Sequence, residues 1–267
     1  MFNSILLVGC GNMAGAMLDG WLAAGYKPDR FTIVDPIRES APGGIPVLRE
    51  LPVGGAFDAI LLGVKPQNLP EIAGQVEPLA GPQATILSLL AGVELATLQQ
   101  RFPRAASVVR LMPNLAVALG KAPIALAQSG MDEREKAALV DLLQPLGLPQ
   151  WVGEGEFDLV TALAGSGPAF VYRFIDALSS AAARLGLPEQ QARALALAMV
   201  DGAAALAAQS DHAPGKLAEM VASKGGVTRA GLDVLDDSDA LVRLMTDTLS
   251  AARERSAEMA REARPPD

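Results

Sequence analysis

The feature that most constrains this chain is an apolar run, Ile5–Val8, that leads directly into a glycine-spaced turn, Gly9–Ala14. Gly9 permits a tight turn, Gly11 lets a ligand approach the backbone, and Ala14 lets a strand and a helix pack closely. Because the first N–H groups of a helix attract anions, the turn predicts a pyrophosphate site in a dinucleotide-binding domain. The alternative is a tight strand–helix turn that binds nothing, and the preceding strand pattern favours the nucleotide.

The first half of the chain alternates short apolar runs with helical patterns. Several runs are apolar at every position, which is typical of strands buried on both faces of a parallel sheet. The predicted strands are Ile5–Val8, Phe31–Val34, Ala59–Val64, Thr85–Leu90, Ser107–Leu111 and Pro123–Ala127. This alternation predicts an α/β Rossmann domain over residues 1–153.

Residues 154–267 are rich in alanine and leucine and show helical patterns almost throughout, with no clear strand pattern, which predicts an all-α C-terminal domain. The helix from Pro188 to Gln209 is apolar nearly all round, with Arg193 and Asp201 as its main charges. Such a helix needs burial on most faces, and a domain of this size has limited interior. We therefore expect helices of a second subunit to cover it, in a homodimer or higher homo-oligomer. The alternative is that its alanines tolerate partial exposure.

Composition argues against several classes of protein. The net charge of −8, with no basic block, disfavours binding to nucleic acid or to an anionic membrane. With one cysteine, Cys10, and one histidine, His212, neither an internal disulfide nor the usual metal sites are expected. The uncharged stretch 160–172 is too short to span a membrane, and the N-terminus lacks the features of a signal peptide. We expect a cytoplasmic protein.

Further cofactor-binding candidates follow the predicted strands. Asp35 ends the second strand, where an acid binds the ribose 2′-hydroxyl in NAD enzymes, whereas Arg38 could meet the 2′-phosphate of NADP. NADH and NADPH therefore both stay open, and Asp35 could instead simply begin a turn. The turn after the third long strand, which comprises Gly63, Val64, Lys65 and Pro66, is expected to offer backbone contacts. Lys65 could also be a catalytic ammonium or a solvated side chain.

Three more segments carry polar groups or glycines in an informative pattern. Asn114, after the fifth strand, offers an amide near the expected nicotinamide position or forms a turn with Pro113. Gly165 and Gly167 flank Ser166 inside an apolar helix, which indicates close approach of a cofactor or of another helix. The glycine turn at 223–228 precedes a helix and could bind a carboxylate, or could be an ordinary junction of two helices. It contains Ser223, Lys224, Gly225, Gly226, Val227 and Thr228.

The ordered set of these motifs resembles the pyrroline-5-carboxylate reductase family over nearly the whole chain. The residues that carry the resemblance are Gly9-Cys10-Gly11-Asn12-Met13, Val64-Lys65-Pro66, Ala91-Gly92-Val93, Met112-Pro113-Asn114, Gly165-Ser166-Gly167-Pro168-Ala169 and Gly225-Gly226-Val227-Thr228. The resemblance implies a Rossmann domain, a helical dimerisation domain, and hydride transfer from NADPH or NADH to the C=N bond of 1-pyrroline-5-carboxylate, giving L-proline.

Carried over residue by residue, the resemblance places the cofactor against two turns and the substrate carboxylate against a third. The cofactor side comprises Val8, Gly9, Cys10, Gly11, Asn12, Met13 and Gly63 to Pro66, and the substrate side comprises Ser223 to Thr228. Since a protonated cyclic imine is already an electrophile, the protein mainly has to orient two reactants. Water, Ser166 or Thr228 is the candidate proton donor.

The chain departs from the family pattern near the expected substrate. Lys224 and Val227 stand where the family usually has Pro and Thr, and Leu89-Leu90 replace small residues. Arg173 stands where some members place a threonine proposed as proton donor, and Ala213 is an insertion. These changes motivate a second hypothesis, a reductase of another cyclic imine or of a deazaflavin. A third is a protein that binds NAD(P) without turnover, which the carboxylate turn disfavours.

Overall fold

A computed structural model describes residues 2–263, so residues 264–267 of the predicted helical domain lie outside the described range. The strands within this range are β1 (Ile5–Val8), β2 (Phe31–Val34), β3 (Val47–Leu48), β4 (Ala59–Leu62), β5 (Thr85–Ser88), β6 (Ser107–Met112), β7 (Ala122–Ser129) and β8 (Gly147–Trp151). The α-helices are α1 (Asn12–Ala23), α2 (Leu69–Val76), α3 (Leu95–Arg101), α4 (Glu133–Leu143), α5 (Phe157–Val160), α6 (Gly167–Arg184), α7 (Glu189–Gln209), α8 (Pro214–Val221), α9 (Val227–Asp236) and α10 (Ala240–Ala263).

All eight strands form one sheet in the order β3-β2-β1-β4-β5-β6-β7-β8. The pairs from β3 across to β6 are parallel, so these strands end at the same edge. The chain winds outward from β1 to β3 and then crosses back to β4 on the other side of β1. This reversal is a topological switch point, and ligands of open α/β sheets bind at the carboxyl ends of the strands there. The predicted Rossmann domain followed by a mostly helical region is confirmed.

The central strands β1, β4 and β5 are buried on both faces, as their continuous apolar runs predict. In β1, Ile5 and Leu7 join one core cluster, whereas Leu6 and Val8 join the other. Trp21 of α1 anchors the first cluster by stacking on Phe31, with 5.5 Å between ring centroids, and by donating its indole N–H to the Leu142 carbonyl. The two core clusters, one on each face of the sheet, hold the carboxyl ends of β1 and β4 at fixed positions.

The structure differs from the sequence prediction in several elements. The two-residue strand β3 was not predicted because it is too short to show periodicity. β4 ends at Leu62 and β5 at Ser88, each two residues earlier than predicted. Beyond β6 the sheet is no longer purely parallel, because β7 runs antiparallel to β6. Residues Gly147–Trp151, which are not among the predicted strands, form the last strand, β8, which pairs parallel with β7.

An ion pair between buried Arg110 and partly exposed Glu154 anchors the segment that leads into the helical half. Arg110 of β6 is 4% exposed, and its Nη1 donates to Glu154 Oε1 at 2.8 Å. The same oxygen accepts the Leu95 N–H at the start of α3. The Arg110 guanidinium also lies 3.9 Å from the centre of the Phe157 ring. The contacts fix Phe157, which is followed closely by a π-helical turn, Thr161–Gly165.

The chain divides into two compact units. One contains the residues up to 166 together with those from 251 onward, and the other is Gly167–Ser250. Within the first unit, the end of α10 packs on the loop after β5: a Cβ at Gly92 would lie 3.0 Å from the backbone of Met259 and Ala260. Ser256 Oγ also donates to Asp158 Oδ1 at 2.7 Å.

The second unit is made of helices with large exposed apolar side chains. In α7 these are Leu195, Leu197, Met199 and Leu206; in α9 and α10 they include Val234, Leu235, Leu241, Leu244 and Met245. By length and composition α7 alone among the described helices could cross a membrane, and only 11% of that window is buried. It also carries Arg193 and Asp201 within its length.

Two helical glycines test the packing of the first unit. A Cβ at Gly20 of α1 would lie 2.6 Å from the Val117 carbonyl oxygen and 2.5 Å from Leu146 Cδ2. Because backbone would have to move, we expect Gly20→Ala to lower the free energy of unfolding by about 1–3 kcal/mol. Denaturant unfolding measures this.

Gly74→Ala is the matched control, because a Cβ at Gly74 of α2 would meet no atom within 4 Å. Alanine is favoured over glycine in a helix by up to about 1 kcal/mol, so this variant should be as stable as the wild type or more stable. Equal effects of the two substitutions would contradict the packing described for α1.

Candidate functional site

The turns after β1 and β4 meet in direct backbone contact. A Cβ at Gly9 would lie 2.9 Å from the Gly63 carbonyl carbon and the Val64 nitrogen, and one at Gly63 would meet the Gly9 carbonyl oxygen. The same Gly63 Cβ would lie 3.0 Å from the Ala14 Cβ. Gly9 also has φ +83°, which favours glycine. Small residues at these positions therefore let the turn close against β4.

Gly11, by contrast, has no neighbour that requires glycine. A Cβ there would meet no atom within 4 Å, and φ is −72°. Gly11 is the N-cap of α1, where no side chain caps the helix and no acid lies in the first turn. The N–H groups of the first turn, which begins at Asn12 and Met13, are thus suited to an anion. Open space above an uncapped helix start fits the pyrophosphate of a dinucleotide.

Asp35, directly after β2, fixes the turn between β1 and α1 through a hydrogen bond. Its Oδ2 accepts the Cys10 N–H at 2.8 Å, and its Oδ1 accepts the N–H groups of Ile37 and Arg38 at 2.9 and 2.8 Å. Burial of the carboxyl opposes its ionisation, but these three N–H groups outweigh burial and lower the pKa of Asp35 below its usual 3.8. The carboxylate is therefore charged and committed to the backbone of two loops.

Cys10 is a buried part of the same turn. Arg38 Nη1 donates to the Cys10 carbonyl at 3.0 Å and lies 3.4 Å from Sγ. Burial raises the pKa of the Cys10 thiol, which the nearby Arg38 charge only partly offsets. Cys10 thus contributes packing and backbone groups to the turn rather than a reactive thiolate.

A cavity of about 600 Å³ opens beside the turn, between the end of β2 and helix α2. Its lining includes Val8, Gly9, Pro36, Arg49 and Glu71. The cavity lies at the carboxyl edge of the sheet next to the switch point, which is the position of the nucleotide in folds of this topology.

The turn after β4 has the extended backbone that the following proline predicts. Lys65 has φ −73° and ψ 145°, and Pro66 begins a short 3₁₀ segment. Val64 is half-buried against Gly9, whereas the Lys65 side chain is exposed. The turn therefore presents its backbone at the switch point.

Asn114 follows β6 and is buried, at 6% exposure. Its Nδ2 donates to the Ala164 carbonyl at 2.9 Å, and its Oδ1 accepts the Ala116 N–H at 2.9 Å. The side chain thereby joins the end of β6 to the π-helical turn. A Cβ at Gly165 in this turn would lie 3.3 Å from Met112 Sδ, so the glycine admits a close approach to β6.

Ser166 comes directly after the π-helical turn. Its N–H donates to the Thr161 carbonyl, and the side chain is half-buried. Its hydroxyl makes no hydrogen bond to any of the residues 2–263. π-Helical turns occur often at functional sites, and the sequence did not reveal this one beyond its Gly/Pro interruption.

The glycine turn at 223–228 belongs to the second compact unit. The Gly226 N–H donates to the Ser223 carbonyl, Gly225 has φ +69°, and Gly226 is the N-cap of α9 with no side-chain cap. Val227 is 93% exposed, and Ser223, Lys224 and Thr228 are exposed as well. The start of α9 therefore has free N–H groups beside a lysine and a hydroxyl, a set that suits a carboxylate.

The sheet brings one group of predicted residues to a common edge. The turns at Gly9, Gly63 and Asn114 follow parallel strands, and β1 and β6 are three strand spacings apart, about 14 Å. Arg49, which follows β3 and lines the cavity, could not be predicted as a site residue, because a run as short as Val47–Leu48 shows no strand pattern.

The switch-point cavity, the closed glycine turn and the uncapped start of α1 define a protein of the dinucleotide-binding oxidoreductase class with a Rossmann fold. Residues 154–259 match the family model for pyrroline-5-carboxylate reductase dimerisation. The chain is 34% identical to pyrroline-5-carboxylate reductase 2 of Bacillus subtilis, over 94% of this chain and 95% of that protein. It therefore belongs to the pyrroline-5-carboxylate reductase family.

Solved structures agree with this assignment. A pyrroline-5-carboxylate reductase from Coxiella burnetii has a TM-score of 0.90 and 27% identity, covering 97% of this chain and 99% of that one. The Plasmodium falciparum pyrroline carboxylate reductase with NADP bound shares the fold, with a TM-score of 0.81, 22% identity, and coverage of 97% and 99%.

Substitutions at Gly11 and Gly9 distinguish a glycine that leaves room for a ligand from a glycine that the fold itself requires. Because a Cβ at Gly11 meets only open space, Gly11→Ala should leave the free energy of unfolding within about 1 kcal/mol of the wild type and weaken dinucleotide binding at least tenfold. Binding is measured by titration calorimetry and stability by denaturant unfolding.

Gly9→Ala is the contrasting variant and should lose both stability and binding, because φ is positive and the Gly63 backbone is in contact. If Gly11→Ala bound the dinucleotide as tightly as the wild type, the pyrophosphate would not lie over this turn.

Proposed function

We propose that this protein reduces 1-pyrroline-5-carboxylate to L-proline with NADPH or NADH, as a step of proline biosynthesis. The observation that carries the proposal is the open, uncapped turn at Gly11 on the switch point of a chain that belongs to this family along nearly its whole length. The bound nicotinamide supplies the hydride for the C=N carbon, and the protein supplies binding and orientation.

The cofactor-binding residues that we propose lie on two turns and at two strand ends. The pyrophosphate takes the N–H groups of the α1 turn, from Val8 to Met13, and the β4 turn, Gly63 to Pro66, offers backbone groups. Asp35 acts through its hydrogen bond to Cys10. Asn114 acts by holding Ala164, because both its amide nitrogen and its oxygen already bind backbone.

We propose the turn Ser223–Thr228 as the site for the substrate carboxylate. Its support is the uncapped start of α9, with Lys224 as an adjacent cation. Reduction of the C=N bond adds a hydride to the carbon and a proton to the ring nitrogen, so a source of that proton is needed. Ser166 and Thr228 are the candidate catalytic residues for it, with water as the alternative route.

The homo-oligomer that we propose would cover the apolar helices of the second unit. Leu206 of α7 is 72% exposed and Leu244 of α10 is 58% exposed, so a single chain leaves much apolar surface in water. A second copy explains this surface better than a membrane does, because Arg193 and Asp201 interrupt α7. We also propose a cytoplasmic location for this oligomer. We propose that the dinucleotide-binding domain ends at residue 153 and the helical domain begins at residue 154, where the match to the dimerisation family begins.

The oligomer is tested by light scattering of the purified protein at micromolar concentration. The expected mass is at least twice the chain mass of 27.7 kDa. A monomer at that concentration would contradict the proposed subunit contact of α7.

The activity is tested by supplying 1-pyrroline-5-carboxylate with NADPH or NADH and following the nicotinamide absorbance. We expect decay with at least one cofactor. Turnover of other cyclic imines but not of this one would favour the second candidate, which Lys224 and Val227 motivate. No turnover of any imine would contradict both.

Lys224→Ala tests the carboxylate site. If Lys224 pairs with the carboxylate in both ground and transition states, the variant should raise KM for the imine about tenfold and change kcat little. Lys216→Ala on α8 removes another exposed lysine, which lies outside the turn, and should leave KM unchanged. An unchanged KM in Lys224→Ala would remove this lysine from the site.

A further inference from the structure

The carboxylate of Asp35 binds backbone and does not face the nucleotide cavity. An acid at the end of β2 commonly accepts the ribose hydroxyls, yet both oxygens of Asp35 accept backbone N–H groups, and the residue is 9% exposed. Asp35 is also absent from the lining of the adjacent cavity. The carboxylate thus joins the β1–α1 turn to the loop that follows β2.

This loop in turn fixes the guanidinium of Arg49. Nη1 of Arg49 donates to the carbonyl oxygens of Asp35, Pro36 and Arg38 at 3.3, 2.9 and 3.0 Å. Its Nε and Nη2 make no hydrogen bond to the other described residues. The side chain is exposed and lines the cavity beside Val8 and Gly9. A positioned guanidinium with free N–H groups therefore lines the nucleotide cavity.

The charges around this cavity make the binding of a further phosphate depend on Arg49. Glu50 and Glu71 also line it, and both would repel a further phosphate dianion. Arg38 is directed elsewhere, with Nη1 on the Cys10 carbonyl and Nε on the Ser40 carbonyl. A fixed guanidinium binds phosphate through paired, charge-assisted hydrogen bonds, whereas a ribose hydroxyl gains little from it.

We propose that Arg49 selects a nucleotide with a phosphate on its adenosine ribose, so that NADPH is preferred to NADH, and that Asp35 is a positioning residue for the loop that holds Arg49. The inference rests on the proposed binding of the dinucleotide in this cavity. The choice of cofactor would then depend on a residue outside the glycine turn.

The test uses two adenosine half-ligands as probes, 2′,5′-ADP and 5′-AMP, with dissociation constants from titration calorimetry. The wild type should bind 2′,5′-ADP at least about tenfold more tightly than 5′-AMP. Arg49→Gln should reduce this ratio to one or below, because the two glutamates then act unopposed. Arg49→Lys should keep part of the ratio, since the charge remains.

Arg134→Gln is the matched control, because it removes an exposed arginine on α4, which is not part of the cavity lining. It should leave the ratio unchanged. Asp35→Asn should weaken both probes through the turn, and should weaken 2′,5′-ADP more, because the loop that holds Arg49 is then less well fixed. If Asp35→Asn does not fold, the wild-type ratio and Arg49→Gln decide the question.

The proposal is overturned if the wild type binds the two probes equally, if Arg49→Gln keeps the ratio, or if Asp35→Asn weakens 5′-AMP alone. These outcomes are independent of the reductase assay. Binding of 2′,5′-ADP without imine reduction would contradict the proposed function and leave this inference standing. Reduction that proceeds equally with both cofactors, together with equal probe binding, would do the reverse.

Discussion

The contact of Gly9 with Gly63 is the constraint on which the rest of the site depends. Two turns that follow neighbouring parallel strands can come into backbone contact only because neither glycine carries a Cβ and the side chain of Ala14 is a single methyl group. The meeting point coincides with the reversal of strand order between β1 and β4. The start of α1 is thereby held at the sheet edge with its first N–H groups uncapped, and the adjacent cavity lies against the same turn.

The hydrogen bonds around this contact form a chain of supports. Asp35 fixes the turn through Cys10 and fixes its own loop through Ile37 and Arg38, and the carbonyl groups of that loop fix Arg49. Asn114 plays a comparable part at β6, where it joins the strand end to the π-helical turn. In both places a polar residue expected to face the cofactor serves instead to hold backbone that would face it. The site is thus preorganised by buried side chains rather than built from reactive ones.

Most of the fold and the glycine turn could be predicted from sequence because their signals are local. Runs such as Ile5–Val8 carry their burial in consecutive residues, and the spacing of Gly9, Gly11 and Ala14 falls within one turn. The turn-forming roles of Asp35 and Asn114 were among the alternatives that the sequence offered, and the structure shows both. Their long-range partners could not be predicted, since Cys10 and Ala164 lie 25 and 50 residues away along the chain. Arg49 gave no signal because the strand before it has only two residues.

A reductase of this family transfers a hydride from the nicotinamide to the C=N carbon of a cyclic imino acid. The most direct measurement is mass spectrometry of the product formed from 1-pyrroline-5-carboxylate with cofactor that carries deuterium at the transferred position of the nicotinamide. The expected product is proline with one deuteron, located on the former imine carbon. Absence of proline, or proline without deuterium, would contradict it.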